Sequence, residues 1–142
     1  MTKYKKQLII VYIRVSVVQN NSILIIGKRE GPSLSTDSSN HISIRNATRD
    51  DSALILSFVK GLAGYVKMED DVTSTAEMIE DWLFNKNAAE AIFASLDGKE
   101  VGFALYYQTF STFLGKAGLY LEDLYVIADY RGRGVGTALL RK

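Results

Sequence analysis

The stretch AIFASLDGKEVGFALYYQTF, residues 91–110, leaves a folding chain few options. Two runs rich in apolar and aromatic residues flank Asp97-Gly98, a pair that tolerates positive φ and is a strong hairpin signal. A third run of the same kind, GLYLEDLYVIA at 118–128, follows closely and leads into a glycine-rich segment, RGRGVG at 131–136. Strands joined this closely pair antiparallel, because a parallel pair needs a longer crossover. TALLRK after the glycines has the composition of a starting helix. An antiparallel meander ending in a strand–glycine turn–helix unit is therefore the frame around which the remaining chain must fold.

Upstream, HISIRNA reads as a short strand with Ile42 and Ile44 on one face. Thr48 with Asp51 three residues later marks a helix N-terminus, and Ile55, Val59 and Leu62 continue at helical spacing until Gly61 and Gly64 end the helix. Ser74 with Glu77 marks a second start, opening a helix through Met78, Ile79, Trp82 and Leu83. Trp82 and the pair Tyr106-Tyr107 are assigned to core and sheet packing. From His41 the order is strand, helix, helix, three strands, helix, an α/β (α+β) arrangement on a mostly antiparallel sheet. Residues 1–40 differ in character. Two β-branched runs around Asn20-Asn21 predict a β-hairpin over residues 8–28, and GPSLSTDSSN reads as a polar linker. The expected division is a hairpin extension and linker over 1–40 and a domain over 41–142.

Charge and cysteine content narrow the function. Seventeen basic against sixteen acidic residues give a net charge of +1, so nothing points to a nucleic-acid or membrane partner. The run QLIIVYIRVSVV is interrupted by Arg14 and falls short of the ~20 residues a spanning helix needs. MTKYKK resembles the start of a signal peptide, but no small-residue cleavage site follows, so the expected location is cytoplasmic. Without cysteine there is no disulfide, thiol nucleophile or thiolate zinc site, and the single His41 makes no metal site alone.

The glycine segment carries the most specific chemistry. Glycines let backbone N–H groups come close to a ligand, and a helix start favours anions, so the segment suits a pyrophosphate. It is not a Walker A loop, because Gly136 rather than lysine precedes Thr137. It is not a dinucleotide fingerprint either, because the third glycine comes one residue early. A plain strand-to-helix turn with two solvated arginines, and an RNA-binding RGRG tract, are the other readings open to the segment.

In context, Arg131, Gly134 and Gly136 match the Arg/Gln-x-x-Gly-x-Gly/Ala signature of the GNAT superfamily of N-acetyltransferases, and the element order ahead of it matches too. VGFALYYQTFSTFLGKAGLYLEDLYVIADYRGRGVGTALL resembles the diamine (spermidine/spermine) acetyltransferase branch, over roughly residues 42–142. The resemblance implies a GNAT-like fold, acetyl-CoA as co-substrate with no metal, and acetyl transfer to a primary amine by direct attack in a ternary complex. It places the pantetheine arm and acetyl group on the backbone of Leu124, Tyr125 and Val126. The pyrophosphate falls on Arg131, Gly132, Arg133, Gly134, Val135, Gly136 and Thr137, and an N–H near Val126 would polarise the thioester carbonyl.

The acceptor poses the physical problem. An alkylamine of pKa ~10.4 is protonated at pH 7, and removing its proton costs about 4.6 kcal/mol. The family places an acid at Glu122, which is the expected catalytic residue. Strict alternation would send Asp123 to the opposite face of the strand, so the two acids could not share that role, and Asp123 is the alternative to Glu122. The loop between the helices grips the polyamine in this branch, which nominates Tyr65, Glu69 and Asp70 for substrate binding, with Glu122 and Asp123. The branch has an acidic residue directly after that tyrosine, whereas this chain has Val66. Set against the superfamily, the chain is expected to be C-terminally truncated, without the usual further strand, helix and general-acid tyrosine. An inactive CoA-binding fragment or a partner-dependent module is therefore the alternative. A homodimer is compatible with the resemblance. The N-terminal extension faintly resembles a Nudix opening hairpin, but no Nudix box follows it.

Overall fold

The computed structural model describes Arg14–Val15 and residues 41–142. The hairpin expected over residues 8–28 and the polar linker lie outside the described residues, apart from Arg14 and Val15. Those two form β1 (Arg14–Val15), followed by β2 (Ile42–Asn46), β3 (Glu90–Leu96), β4 (Lys99–Ser111) and β5 (Lys116–Val126). All pair antiparallel in the order β1-β5-β4-β3-β2. The helices are α1 (Ser52–Val66), α2 (Ala76–Glu80) and α3 (Val135–Leu140). The Asp97-Gly98 turn forms as expected, with φ of 52° and 78°.

The sheet carries a core on each face. On one, Ile55 and Phe58 of α1 and Ile79 and Leu83 pack on Ala91, Phe93 and Phe103. Three phenylalanine rings, Phe58, Phe93 and Phe103, meet pairwise with centroids 5.5–5.7 Å apart, and Tyr125 meets Phe58 edge-on at 6.3 Å. On the other face, Val135 and Leu139 of α3 pack on Ile92, Ala94, Val101 and Ala104. Gly102 allows that approach: a Cβ there would lie 2.6 Å from Val135 Cγ1.

Three local expectations need correction. Gly61 and Gly64 lie within α1, which runs to Val66 and ends at Lys67 in the left-handed region. The Met68 N–H donates to the Ala63 carbonyl (2.9 Å) and the Lys67 N–H to the Gly64 carbonyl (3.3 Å), a Schellman closure that uses lysine where glycine is usual. Gly61 serves packing, since a Cβ there would meet the Tyr125 ring at 2.9 Å. The second start lies one residue later than expected, with Thr75 as N-cap accepting from the Met78 N–H at 3.3 Å. That helix continues into a π-helical turn over Asp81–Asn85. Trp82 is not in the core: it is 54% exposed, with Lys86 Nζ 3.9 Å from its ring centre. Tyr106 and Tyr107 do pack on the sheet, Tyr107 against Tyr120 at 4.9 Å.

Arg45 ties three segments together. Its guanidinium donates to both Asp51 oxygens (2.8 and 2.9 Å) and twice to Glu100 Oε1 (2.9 and 3.1 Å), and lies 5.0 Å from the Phe93 ring centre. Asp51 also accepts from the Thr48 N–H (2.7 Å) and hydroxyl (2.9 Å), which fixes the start of α1 to the edge of the sheet. Hydrogen bonds from Arg45 hold the Asp51 carboxyl well below the usual carboxylate range. A depressed carboxyl stabilises the fold above its unfolded pKa and loses that contribution as pH falls through the folded value. Asp51→Asn is expected to cost about 1.5–3 kcal/mol at pH 7. The gap to wild type should shrink below about pH 4, and urea melts at pH 7 and pH 3 measure both effects. A gap independent of pH would show that the charge on Asp51 is not what stabilises the fold.

Candidate functional site

The element that builds the site is β5, and its geometry depends on one extra residue. Leu105 of β4 sits opposite Asp123, but Tyr106 sits opposite Leu121, so Glu122 has no partner and forms a β-bulge. The bulge shifts the phase of the strand. Leu121 packs on the α3 face with Leu124 and Val126, whereas Tyr125 packs on the α1 face. Strict alternation, which was expected to separate Glu122 from Asp123, therefore fails at these residues. Glu122 is exposed and Asp123 half-buried. Burial, followed by the charge of Glu122, pushes the Asp123 carboxyl up to about 6. The negative charge of Glu122 thus disfavours ionisation of its neighbour Asp123.

Immediately after the bulge the strand enters a cleft of about 600 Å³. One wall is the end of α1, with Leu62 and Tyr65. The floor is Leu124, Tyr125 and Val126, and the far side is the turn and the first residues of α3. Of the residues singled out in the sequence, Tyr65, Leu124, Tyr125, Val126, Arg131, Gly132, Gly134, Val135, Gly136 and Thr137 come together here. Gly132 and Gly134 have φ of 75° and 85°, values costly for any residue with a side chain, and no atom lies within 4 Å of a Cβ placed on Gly132. Glu122 and Asp123 lie just before the cleft lining rather than in it. Glu69 and Asp70 are exposed on a 3-10 turn after α1 and do not line it either. Arg133 does not line the cleft itself, but its guanidinium lies 5.4 Å from the ring centre of Tyr130, which does.

Arg131 is the charged group inside the cleft. Its Nε donates to the Val126 carbonyl (2.9 Å), and its guanidinium lies 4.2 Å from the Tyr65 ring centre and 5.6 Å from that of Tyr125. The outer edge of β5 pairs with β1 at Leu119 and Tyr120. Among the described residues, no strand pairs with that edge from Leu121 to Val126. Leu124, Tyr125 and Val126 border a ligand-sized space.

Tyr130 lines the cleft without having been singled out, and Leu62, read as an apolar position of the helix, was not named as a site residue. Leu62 is one turn before Tyr65, and continuing the helical period past Gly61 would have placed both on one face. Tyr130 directly precedes the motif arginine, but no spacing rule marks it.

A profile of the acetyltransferase (GNAT) family matches residues 55–142, which include this whole site. The chain belongs to that family. The thialysine N-epsilon-acetyltransferase of Sus scrofa is 34% identical over 110 residues, covering 71% of this chain and 64% of that protein. The human spermidine/spermine N(1)-acetyltransferase-like protein 1 is 33% identical over 113 residues, 74% of this chain and 16% of that protein. These relatives put the GNAT chain in the diamine acetyltransferase-like branch. It spans just under two thirds of the length of the pig relative. Among solved structures, a predicted acetyltransferase with acetyl-CoA from Clostridium acetobutylicum superposes with a TM-score of 0.57 at 20% identity, covering 70% of this chain and 68% of that one. At that identity the likeness shows the GNAT fold.

The raised carboxyl of Asp123 gives a direct test. A raised carboxyl favours folding below its unfolded pKa, and that advantage is lost as pH rises through about 6. Carboxyl NMR titration should find Asp123 near 6, and Glu122→Gln should lower it. A value unchanged by Glu122→Gln would mean that the two carboxyls do not interact.

Proposed function

We propose that this chain binds acetyl-CoA in the cleft and transfers acetyl to a primary amine of a small molecule, a diamine, polyamine or lysine-like acceptor, by direct attack in a ternary complex. The observation that carries the reading is the end of β5, whose outer edge no described strand pairs from Leu121 to Val126, running directly into a turn with two positive-φ glycines. A pantetheine arm contains amides, which suit the backbone groups of Leu124, Tyr125 and Val126 as an added strand would. A pyrophosphate suits the N–H groups of Gly132 to Thr137, where side chains leave the backbone accessible. The residues present therefore fit the cofactor. When bound, it supplies the acetyl group as a thioester.

The chain's own part is to bind and deprotonate the amine. Glu122, exposed on the bulge, presents a carboxylate to an ammonium ion, and Asp123 lies beside it. A proton passed to a group of pKa about 6 rather than an ordinary aspartate saves about 3 kcal/mol of the transfer. This comparison gives Asp123 a share in the proton path, alongside the role assigned to Glu122. Tyr65 offers an aromatic face at the cleft wall, where a cationic acceptor can be held by the ring. Glu69 and Asp70, one short turn further on, are available to the distal amine of a longer acceptor. The location proposed is cytoplasmic, and a homodimer is compatible with the reading. Among the described residues no helix is long and apolar enough to cross a membrane.

CoA is expected to raise the melting temperature, and Gly134→Asp to abolish the shift by placing a side chain and a negative charge on the turn. Circular dichroism of the variant checks that the fold persists. A full shift in a folded variant would remove the turn from the cofactor site. Putrescine, spermidine and thialysine, each assayed with acetyl-CoA, identify the acceptor class. Glu122→Gln and Asp123→Asn should each lower kcat by about 10²–10⁴-fold with CoA binding intact. Turnover of none of the three amines, with the CoA shift present, selects a CoA-binding module that performs no transfer.

A further inference from the structure

Lys99 and Arg133 are far apart in the sequence, yet both lie on the ring of Tyr130. Lys99 Nζ is 5.4 Å from the ring centre and 3.4 Å from the hydroxyl, and the Arg133 guanidinium carbon is 5.4 Å from the same centre. Both side chains are exposed. The salt bridges among the described residues engage Arg45, Arg49 and Lys86, so neither Lys99 nor Arg133 has a carboxylate partner there. Two like charges on one ring repel each other, and an anion between them would relieve the repulsion. Tyr130 itself lines the cleft, which places this pair at its rim.

The topology explains how Lys99 reaches that position. Gly102 of β4 pairs opposite Val126, the last residue of β5, so the β3–β4 turn projects past the end of β5 toward the glycine turn. The reading of the cleft as the CoA site, on which this inference rests, runs the acyl arm back along β5 toward Glu122. The adenosine end must then leave on the other side of the turn, where Tyr130 and Arg133 stand. CoA carries a second phosphate there, a monoester on the ribose, which the turn's amides do not serve. We propose that Lys99 and Arg133, held on Tyr130, seat this 3′-phosphate and make the site selective for 3′-phosphorylated adenosine cofactors. A phosphate monoester carries nearly two negative charges near neutral pH, which suits two converging cations.

Isothermal titration with CoA and with 3′-dephospho-CoA tests the assignment without relying on turnover. The wild-type chain is expected to bind CoA at least about tenfold more tightly than dephospho-CoA. The Lys99→Ala/Arg133→Ala double variant should bind the two alike; Lys99→Ala alone, which leaves the pyrophosphate turn untouched, should lose much of the preference with its affinity for dephospho-CoA unchanged, and Lys99→Arg should retain the preference. Three results would overturn the seat: no preference in wild type, full preference in the double variant, or equal weakening of both ligands by Lys99→Ala. Binding of neither ligand to wild type would instead overturn the reading of the cleft itself, and the seat with it.

Discussion

One unpaired residue in β5 sets the geometry on which the site depends. Without the bulge at Glu122, Leu121 and Asp123 would face the same side of the sheet. With it, Leu121 stays with the α3 core, while Tyr125 packs on the α1 face. Tyr125 then fits against α1 where Gly61 leaves room, and its edge meets Phe58. The end of α1 is thereby held close to the end of β5, and the cleft lies between them. A bulge bends its strand and re-aims side chains, and here it does so where an acid pair stands.

The strand meander and the glycine turn were legible because they rest on local rules: a two-residue hairpin signal, β-rich runs and a motif of fixed spacing. The long-range consequences were not. Reading Gly61 and Gly64 as helix ends follows from glycine's low helix propensity, but tertiary packing overrode it, since Gly61 answers to a ring sixty-four residues away. The alternation rule failed at Glu122 because a bulge is a property of the pair of strands, and nothing in YLEDLYV alone shows the register of β4. Trp82 was assigned to the core from hydrophobicity, whereas it is largely exposed and Lys86 lies over its ring. Arg131, Gly132, Gly134, Val135, Gly136 and Thr137 were named in advance because the family motif is short and continuous, and Leu124 to Val126 because they lie on the strand that leads into it. Tyr130 escaped because no spacing rule marks it, and one of the two cations near its ring, Lys99, comes from another hairpin.

The arrangement also separates what supports the fold from what is available to ligand. The Arg45–Asp51–Glu100 network lies at the β2 side of the sheet, with its hydrogen-bonding groups engaged in protein contacts. The cleft lies towards the other side of the sheet, at the end of β5, where Tyr65, Tyr125 and Tyr130 line it. The network that ties β2 to α1 and β4 is thus separate from the residues that line the cleft.

Arg131 adds a consequence for how any ligand meets this surface. Its guanidinium already occupies the Tyr65 face and the Val126 carbonyl, contacts of the kind that an incoming cation or amide would make. A cation or amide arriving at the cleft floor would exchange partners with Arg131, and its affinity would report the difference between the arriving contacts and those Arg131 gives up. Under the proposed reading, a ligand that drew Arg131 toward a phosphate would lift that competition for the next, linking two sites with no shared atom through one side chain.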